Sequence, residues 1–112
     1  MTTALQSPDR LHCIFCAKLQ AHQTLAETQQ YFILKDLYPA DQHHILICPK
    51  IHVASYLDCD SNVLAGALQL GRQWFKKLGL QSGRFLFNVG TPYAQIPHAH
   101  LHMLGFSTHT NE

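Results

Sequence analysis

The chain has 112 residues, of which 46% are hydrophobic and 13% are charged, with 8 Lys or Arg and 7 Asp or Glu. This composition predicts a single domain over residues 1–112 and argues against a disordered chain. The balanced charge excludes a general attraction to nucleic acid polymers or acidic membranes, so a nucleotide would need a local site. We expect an ordered core over about 11–106 and a polar tail that frays over 107–112.

The N-terminal residues lack the basic segment and long apolar run of a signal peptide. No segment approaches the ~20 apolar residues of a membrane span. We therefore expect a cytoplasmic protein, in which the 4 cysteines are more often thiols or metal ligands than disulfides.

The first half of the chain predicts a short helix followed by two strands. The stretch CIFCAKLQ starts as an apolar cluster and runs into polar residues, which indicates a short helix. Apolar, β-rich runs over 31–36 and 44–48 predict strands. The segment between them, YPADQH (38–43), has the Pro and Asp of a turn.

The second half predicts one long helix between the second and third strands. Apolar residues recur at helical spacing, with Leu64, Leu68, Phe75 and Leu78 on one stripe and Ala67, Leu70 and Trp74 beside it. Asp60 or Ser61 is expected to cap the start and Gly79 to end the helix. Further strands are predicted over 84–90 and about 98–104. Strands adjacent in sequence and one long helix predict an α+β fold with a largely antiparallel sheet.

The segment PHAHLHMLG, residues 97–105, places His98, His100 and His102 at every second position. Side chains of a strand alternate between its two faces, so the three imidazoles should share one face. The residues between them are Ala99, Leu101 and Met103. The pattern predicts a site on one side of the sheet and core on the other.

Three interpretations of the histidines stay open on this pattern alone. They could face solvent, bind a metal, or attack phosphorus as nucleophiles. Alternate residues stand ~6.6–6.8 Å apart along a strand, and the outer pair ~13 Å. All three therefore cannot easily hold one zinc ion, whose bonds to nitrogen are ~2.0–2.1 Å. An imidazole can instead form a phospho-histidine, with a neighbouring imidazole as hydrogen-bond donor or proton carrier.

The motif HAHLHML resembles the signature of the histidine triad (HIT) family of nucleotide hydrolases and transferases. The segments CIFC, YPADQHH, HILICPKIH and FNVG occur in that family's order and at similar spacing, so the resemblance covers most of the chain. It implies a five-stranded antiparallel sheet with two helices, paired as a homodimer.

The resemblance assigns catalytic roles to three histidines. His100 is implied to be the nucleophile that attacks the α-phosphorus of a nucleotide and carries the nucleotidyl group. His102 is implied to contact the phosphate and assist the leaving group. His44 matches a family histidine that helps to order the nucleophile, although a strand-end histidine bonded to backbone would fit equally.

The resemblance also implies a nucleotide-binding set. Asp36 matches the acidic residue that binds the ribose hydroxyls, with a turn-initiating Asp as the alternative. Ile14, Phe15, Leu37 and Leu46 match apolar positions around the purine, and all would also serve as core. Asn88 and Gln95 match polar positions near the phosphate, where Gln95 could donate an amide hydrogen bond.

The pair Cys13-x-x-Cys16 has spacing that suits zinc but is a weak signal alone. Two more ligands are available in His52 and His98. Some bacterial members of the family bind structural zinc through a Cys pair, a His after a Pro and the first triad His, so the resemblance implies this ligand set. Reduced thiols in an apolar pocket are the alternative. The other thiols, Cys48 and Cys59, show no partner spacing, and Cys48 is expected in the core.

The sequence therefore predicts an enzyme that cleaves a purine nucleoside 5′-phosphoramidate or related adenylate. Hydrolysis of diadenosine polyphosphates or nucleotidyl transfer is an alternative, although His102 disfavours the uridylyltransferase branch, which typically has Gln there. A zinc-stabilised nucleotide-binding adaptor with little turnover is the alternative outside the enzymes.

Overall fold

The structure, a computed structural model, describes residues 12–108. In chain order its elements are α1 (Ile14–Gln20), β1 (Ala26–Glu27), β2 (Tyr31–Lys35), β3 (His43–Pro49), a 3-10 helix (Tyr56–Asp58), α2 (Ser61–Lys77), β4 (Ser82–Leu86) and β5 (Leu101–Phe106). The five strands form one antiparallel sheet in the order β1-β2-β3-β5-β4. The predicted α+β class, with two helices and five antiparallel strands, is confirmed.

The register of the central strands places three polar side chains in a row. Leu46 of β3 lies opposite His102 of β5, and His44 lies two residues along the same face. The amide N of Asp36 donates to the carbonyl O of His44 at 3.1 Å, which extends the β2–β3 ladder by one residue. Asp36, His44 and His102 therefore stand side by side across three neighbouring strands.

The two faces of the sheet bury different cores. The face under α2 packs Ile33, Ile45 and Ile47 with the three apolar residues of the triad segment, Ala99, Leu101 and Met103. On the opposite face, Phe32, Leu34 and Leu46 of the sheet pack against Phe15 of α1 and both cysteines of the CxxC pair. The predicted alternation is confirmed, because His98 and His100 contact the Phe15 ring on the α1 side, with centroids 5.9 and 5.1 Å away.

Two strand boundaries predicted from sequence are wrong. The strand expected over 84–90 is β4, which ends at Leu86, and the strand expected over 98–104 begins only at Leu101. The backbone before Leu101 bonds outside the sheet: His98 N donates to Ile96 O and Ala99 N to Val53 O. β4 therefore loses its ladder partner beyond the Leu86–His102 pair.

The apolar stripe of α2 is also shifted from its predicted position. Leu68 is 40% exposed, whereas Ala67 and Gly71, four residues apart, face the sheet. A Cβ at Gly71 would crowd the Phe85 ring and the Ile47 side chain, so small residues let the helix approach closely. Gly79 follows the helix with a φ of 68°, which confirms the predicted helix end.

The start of the predicted frayed tail is anchored. Ser107 N donates to the side-chain oxygen of Gln42 at 2.9 Å, and Thr108 N to that of Gln81 at 2.8 Å. The remainder of the tail, 109–112, lies outside the described residues. Within 12–108, neither helix is long and apolar enough to cross a membrane.

Candidate active site and metal site

His100 is held in one orientation just before β5. Its Nδ1–H donates to the carbonyl O of His98 at 2.7 Å. The Phe15 ring meets the imidazole edge-on, with centroids 5.1 Å apart. Because a neutral imidazole carries one proton, the bond at Nδ1 leaves a lone pair on Nε2. His100 thus has the tautomer that a nucleophile needs.

A chain of hydrogen bonds fixes the tautomers of His44 and His102. The backbone N–H of Ala40 donates to His44 Nδ1 at 3.0 Å, so the His44 proton is on Nε2. That Nε2–H donates to His102 Nδ1 at 2.9 Å. The His102 proton must then be on Nε2, which is buried and has no hydrogen-bond partner among residues 12–108. The chain therefore ends in an unused donor beside His100, whose ring centroid is 5.0 Å away.

The side chain of His44 contacts His102, the neighbour of His100. It is bonded to the backbone N–H of Ala40 and to the His102 imidazole, and it lies beside the Asp36 carboxylate. The role of His44 in ordering His100 stays a prediction, and the backbone bond of the alternative interpretation is present at Ala40. His44 lies on β3, which pairs directly with β5, and it is opposite Leu104. This register brings the His44 ring to His102 and not to His100.

Burial keeps both triad imidazoles beside the cleft neutral. It lowers the pKa of His102 to about 4, and the neighbouring His100 and His44 add to this shift. It also lowers the pKa of His100 from its ordinary value, against the opposing effects of the His98 carbonyl and the Asp36 carboxylate. At pH 7 His100 is therefore a neutral base, and His102 acts as a neutral hydrogen-bond donor.

A cleft of about 150 Å³ lies between α1, the end of β2 and His100. Residues of the predicted nucleotide-binding set that line it are Ile14, Phe15, Asp36, Leu37 and Leu46. Its walls are mostly apolar, with one carboxylate, one imidazole and the side chains of two lysines among them. Pockets that enclose a whole drug-sized ligand hold ~300–1,000 Å³, so this cleft accommodates part of a nucleotide.

Two members of the predicted set are not brought to the cleft. Asn88 is half-buried and Gln95 is exposed, and neither is among the described residues that line it. Both lie in the segment between β4 and β5, where the chain leaves the sheet.

Cys13, Cys16, His52 and His98 converge in a buried cluster with all four ligand atoms within 4.8 Å of one another. The His98 Nδ1 lies 3.3 Å from Cys13 Sγ, 3.5 Å from Cys16 Sγ and 3.0 Å from His52 Nδ1. Tetrahedral zinc, with bonds of ~2.3 Å to sulfur and ~2.0–2.1 Å to nitrogen, requires ligand atoms about 3.3–3.8 Å apart. The cluster is therefore compatible with zinc after a small expansion.

The resemblance implies this set of four ligands, but it does not predict the group that supports His98. His98 Nε2–H donates to the carbonyl O of Pro49 at 2.9 Å, which leaves Nδ1 free of a proton and aimed at the sulfurs. Metal-binding histidines commonly donate their other ring N–H in this way. A backbone carbonyl carries no side-chain signal, so no sequence pattern could have identified it.

A second group of possible ligands, Asp36, His44 and His102, has a different chemistry. Its ligand atoms also lie within 4.8 Å of one another. However, the Ala40 N–H occupies His44 Nδ1, so His44 Nε2 carries a proton and offers no lone pair. This group is therefore a hydrogen-bonded chain and a poor metal site.

Residues that were not predicted from the sequence also line the cleft. They include Lys18, Tyr38 and Ile96. Tyr38 is 86% exposed and follows Asp36 in the turn before β3. The signal that identifies Tyr38 is an aromatic side chain left exposed by the fold, and this exposure is known only from the structure.

Comparison with known proteins agrees with this architecture. Residues 10–112 match the family described as scavenger mRNA decapping enzyme C-term binding. The chain is 31% identical over 102 residues to the adenosine 5′-monophosphoramidase HINT3 of Danio rerio, covering 82% of this chain and 63% of that protein. It therefore spans less than two thirds of that relative.

Other matches extend over nearly the full length of their partners. Protein HitA of Neisseria gonorrhoeae is 33% identical over 102 residues, or 84% of this chain and 95% of HitA. The solved structure of a HIT family hydrolase from Legionella pneumophila Philadelphia 1 is 30% identical, with a TM-score of 0.76 over 83% of this chain and 91% of that chain. By both sequence and fold, the chain belongs to the histidine triad (HIT) family.

Proposed function

We propose that this protein is a nucleotide hydrolase that cleaves purine nucleoside 5′-phosphoramidates or related adenylates through a nucleotidyl-His100 intermediate. The observation that carries the proposal is the pairing of opposite tautomers: a lone pair on His100 Nε2 beside an unused N–H on His102. The phosphoramidase named among the relatives supports the substrate class.

The chemistry follows from these two groups. His100 Nε2 attacks the α-phosphorus, the bond from phosphorus to the leaving group breaks, and the amine departs with a proton from solvent, which the water of the second step returns. The His98 carbonyl stabilises the charge that develops on the His100 ring, because it already accepts from Nδ1–H. His102 Nε2–H donates to a phosphoryl oxygen. Water then attacks the phosphorus, releases the nucleoside monophosphate and restores His100.

The cleft would hold the rest of the nucleotide. In this proposal Ile14, Leu37 and Leu46 contact the purine, and Asp36 accepts from the ribose hydroxyls. Asn88 and Gln95 would reach the phosphate only if the segment between β4 and β5 closes on bound substrate.

The buried Cys and His cluster would hold a structural zinc ion. Its four ligands, Cys13, Cys16, His52 and His98, leave no open coordination position for substrate. A metal there links α1 to the segment that precedes β5, so its contribution is to stability and not to the reaction.

The exposed edge of the sheet favours a homodimer. Among residues 12–108, β4 pairs on one side only, with β5, and its residues 82–85 are exposed. Such an edge offers unpaired backbone groups to a second copy. Phe85, 37% exposed, adds an apolar contact.

We expect light scattering to give the mass of two chains for the wild type and of one chain for Phe85→Glu. Leu25→Glu is the matched control, since Leu25 is 40% exposed and directly precedes β1, at the opposite edge of the sheet from β4. A wild-type mass of one chain at high micromolar concentration would refute the dimer.

The intermediate is tested directly by trapping. Protein mixed with adenosine 5′-monophosphoramidate and quenched in base within milliseconds should gain the mass of one adenylyl group, and peptide mapping should place it on His100. His102→Gln should slow formation of the adduct without moving it. Nucleotide binding without an adduct or turnover in the wild type would instead identify a binding protein.

A further inference from the structure

Asp36 has a contact that a role in ribose binding does not explain. Its Oδ1 accepts from the backbone N–H of Tyr38 at 2.9 Å. Its Oδ2 lies 3.3 Å from His44 Nε2. The carboxylate is 19% exposed and the His44 side chain 6%, so this contact is largely shielded from water. One carboxylate oxygen thus holds the turn, and the other faces the hydrogen-bonded chain that ends at His102.

Ala40 and Asp36 favour the same orientation and the same tautomer of the His44 ring. Ala40 N–H requires an acceptor at Nδ1, and the Asp36 carboxylate, which only accepts, requires a donor at Nε2. A flipped ring or the opposite tautomer would lose the Ala40 bond and the favourable contact with the carboxylate together. Without the Asp36 carboxylate, the Ala40 N–H alone would favour this tautomer and orientation of His44 over the others.

The state of His44 determines the state of His102. As long as His44 Nε2 donates, His102 must accept at Nδ1 and carry its proton on Nε2. If His44 presented a lone pair instead, His102 Nδ1 would have to carry the proton, and the donor at Nε2 would be lost.

We propose that Asp36 is a positioning residue that acts through His44 to keep the His102 proton on Nε2, the atom that donates to the phosphoryl oxygen in the proposed reaction. This proposal rests on the proposed function for its effect on turnover. The orientation of the two imidazoles is a separate property of the resting protein.

The variant Asp36→Asn isolates the contact. Asparagine keeps an oxygen for the Tyr38 N–H, so the turn is retained, but it places an N–H against His44 Nε2–H. Asp41→Asn is the matched control. It removes one negative charge from the same turn, and the Asp41 carboxylate accepts from Gln42 N at 2.8 Å.

The first measurement does not depend on activity. Long-range ¹H–¹⁵N NMR distinguishes the two tautomers of each histidine in the free protein. We expect His102 in the Nε2–H form in the wild type and in Asp41→Asn, and a mixture of both forms in Asp36→Asn. An unchanged Nε2–H pattern in Asp36→Asn would overturn the proposal, whatever the outcome of the trapping experiment.

The second measurement separates positioning from ribose binding. With adenosine 5′-monophosphoramidate, Asp36→Asn should lower kcat about 10- to 100-fold, as expected when a preorganised donor is partly lost. The loss should persist with the 2′,3′-dideoxy substrate, which has no ribose hydroxyls for Asp36 to bind. A loss confined to KM, or absent with the dideoxy substrate, would show that Asp36 acts on the ribose alone.

A double variant tests the route through His102. In a His102→Ala background the donor is already gone, so adding Asp36→Asn should lower kcat by less than about threefold. A full additional loss would mean that Asp36 acts by another route and would overturn the proposal.

Discussion

Replacing His100 with alanine is expected to lower kcat/KM for adenosine 5′-monophosphoramidate by at least about 10⁴-fold, since a covalent route has no substitute for its nucleophile. Binding of adenosine monophosphate should change much less, because the cleft is lined mainly by other residues such as Phe15 and Leu46. Steady-state kinetics and calorimetry with the monophosphate measure the two effects separately.

His22→Asn is the control for the loss of one histidine. His22 lies after α1 with an exposed side chain and a φ of 56°, a conformation that Asn tolerates. We expect it to retain wild-type kinetics. A His100→Ala protein that keeps more than a tenth of the wild-type rate would contradict the nucleotidyl-histidine mechanism, even if the protein is an active hydrolase.

Much of the candidate site could be predicted from sequence because it depends on regular alternation. The spacing of His98, His100 and His102 placed them on one face, and the apolar residues between them identified the opposite face as core. The structure also agrees with the prediction, made from strand spacing, that one zinc ion cannot easily bind all three triad histidines. His98 joins the cysteines, whereas His102 bonds to His44.

The parts that sequence could not predict depend on backbone groups and on strand register. The Ala40 N–H, the Pro49 carbonyl and the His98 carbonyl set three tautomers, and none of them has a side-chain signature. The partner of His44 depends on which residue of β5 lies opposite it, and a shift of two residues would have brought it elsewhere. The early end of β4 at Leu86 has the same cause, since a strand extends as far as its neighbour pairs with it.

One residue connects the metal site with the nucleophile. His98 presents its ring to the Cys13 and Cys16 sulfurs, and its carbonyl O accepts the His100 Nδ1–H. The ring is buried, with no measurable exposure. The geometry of the cluster therefore restrains the segment before β5 from which His100 projects, although no ligand of the cluster enters the cleft.

Loss of one zinc ligand should consequently affect stability far more than chemistry. If zinc binds the folded chain alone, free zinc at a thousand times its Kd stabilises the fold by about 4 kcal/mol. Cys13→Ser should lower the melting temperature by more than about 10 °C, and excess chelator should do the same to the wild type. At 25 °C, kcat of the folded variant should stay within about tenfold of the wild type, since His98 still has its Pro49 bond.

Cys59→Ser is the matched control for this experiment, because Cys59 is a half-buried thiol that packs against the core on the α2 side. We expect its melting temperature to fall by only a few degrees and to respond to chelator as the wild type does. Metal analysis should give one zinc per chain for the wild type and Cys59→Ser. If Cys13→Ser melts like the wild type, or if chelator has no effect on either protein, the cluster is a set of reduced thiols and imidazoles. The restraint on His98 would then come from the Pro49 carbonyl and the packing of Phe15 and Phe32 around its ring.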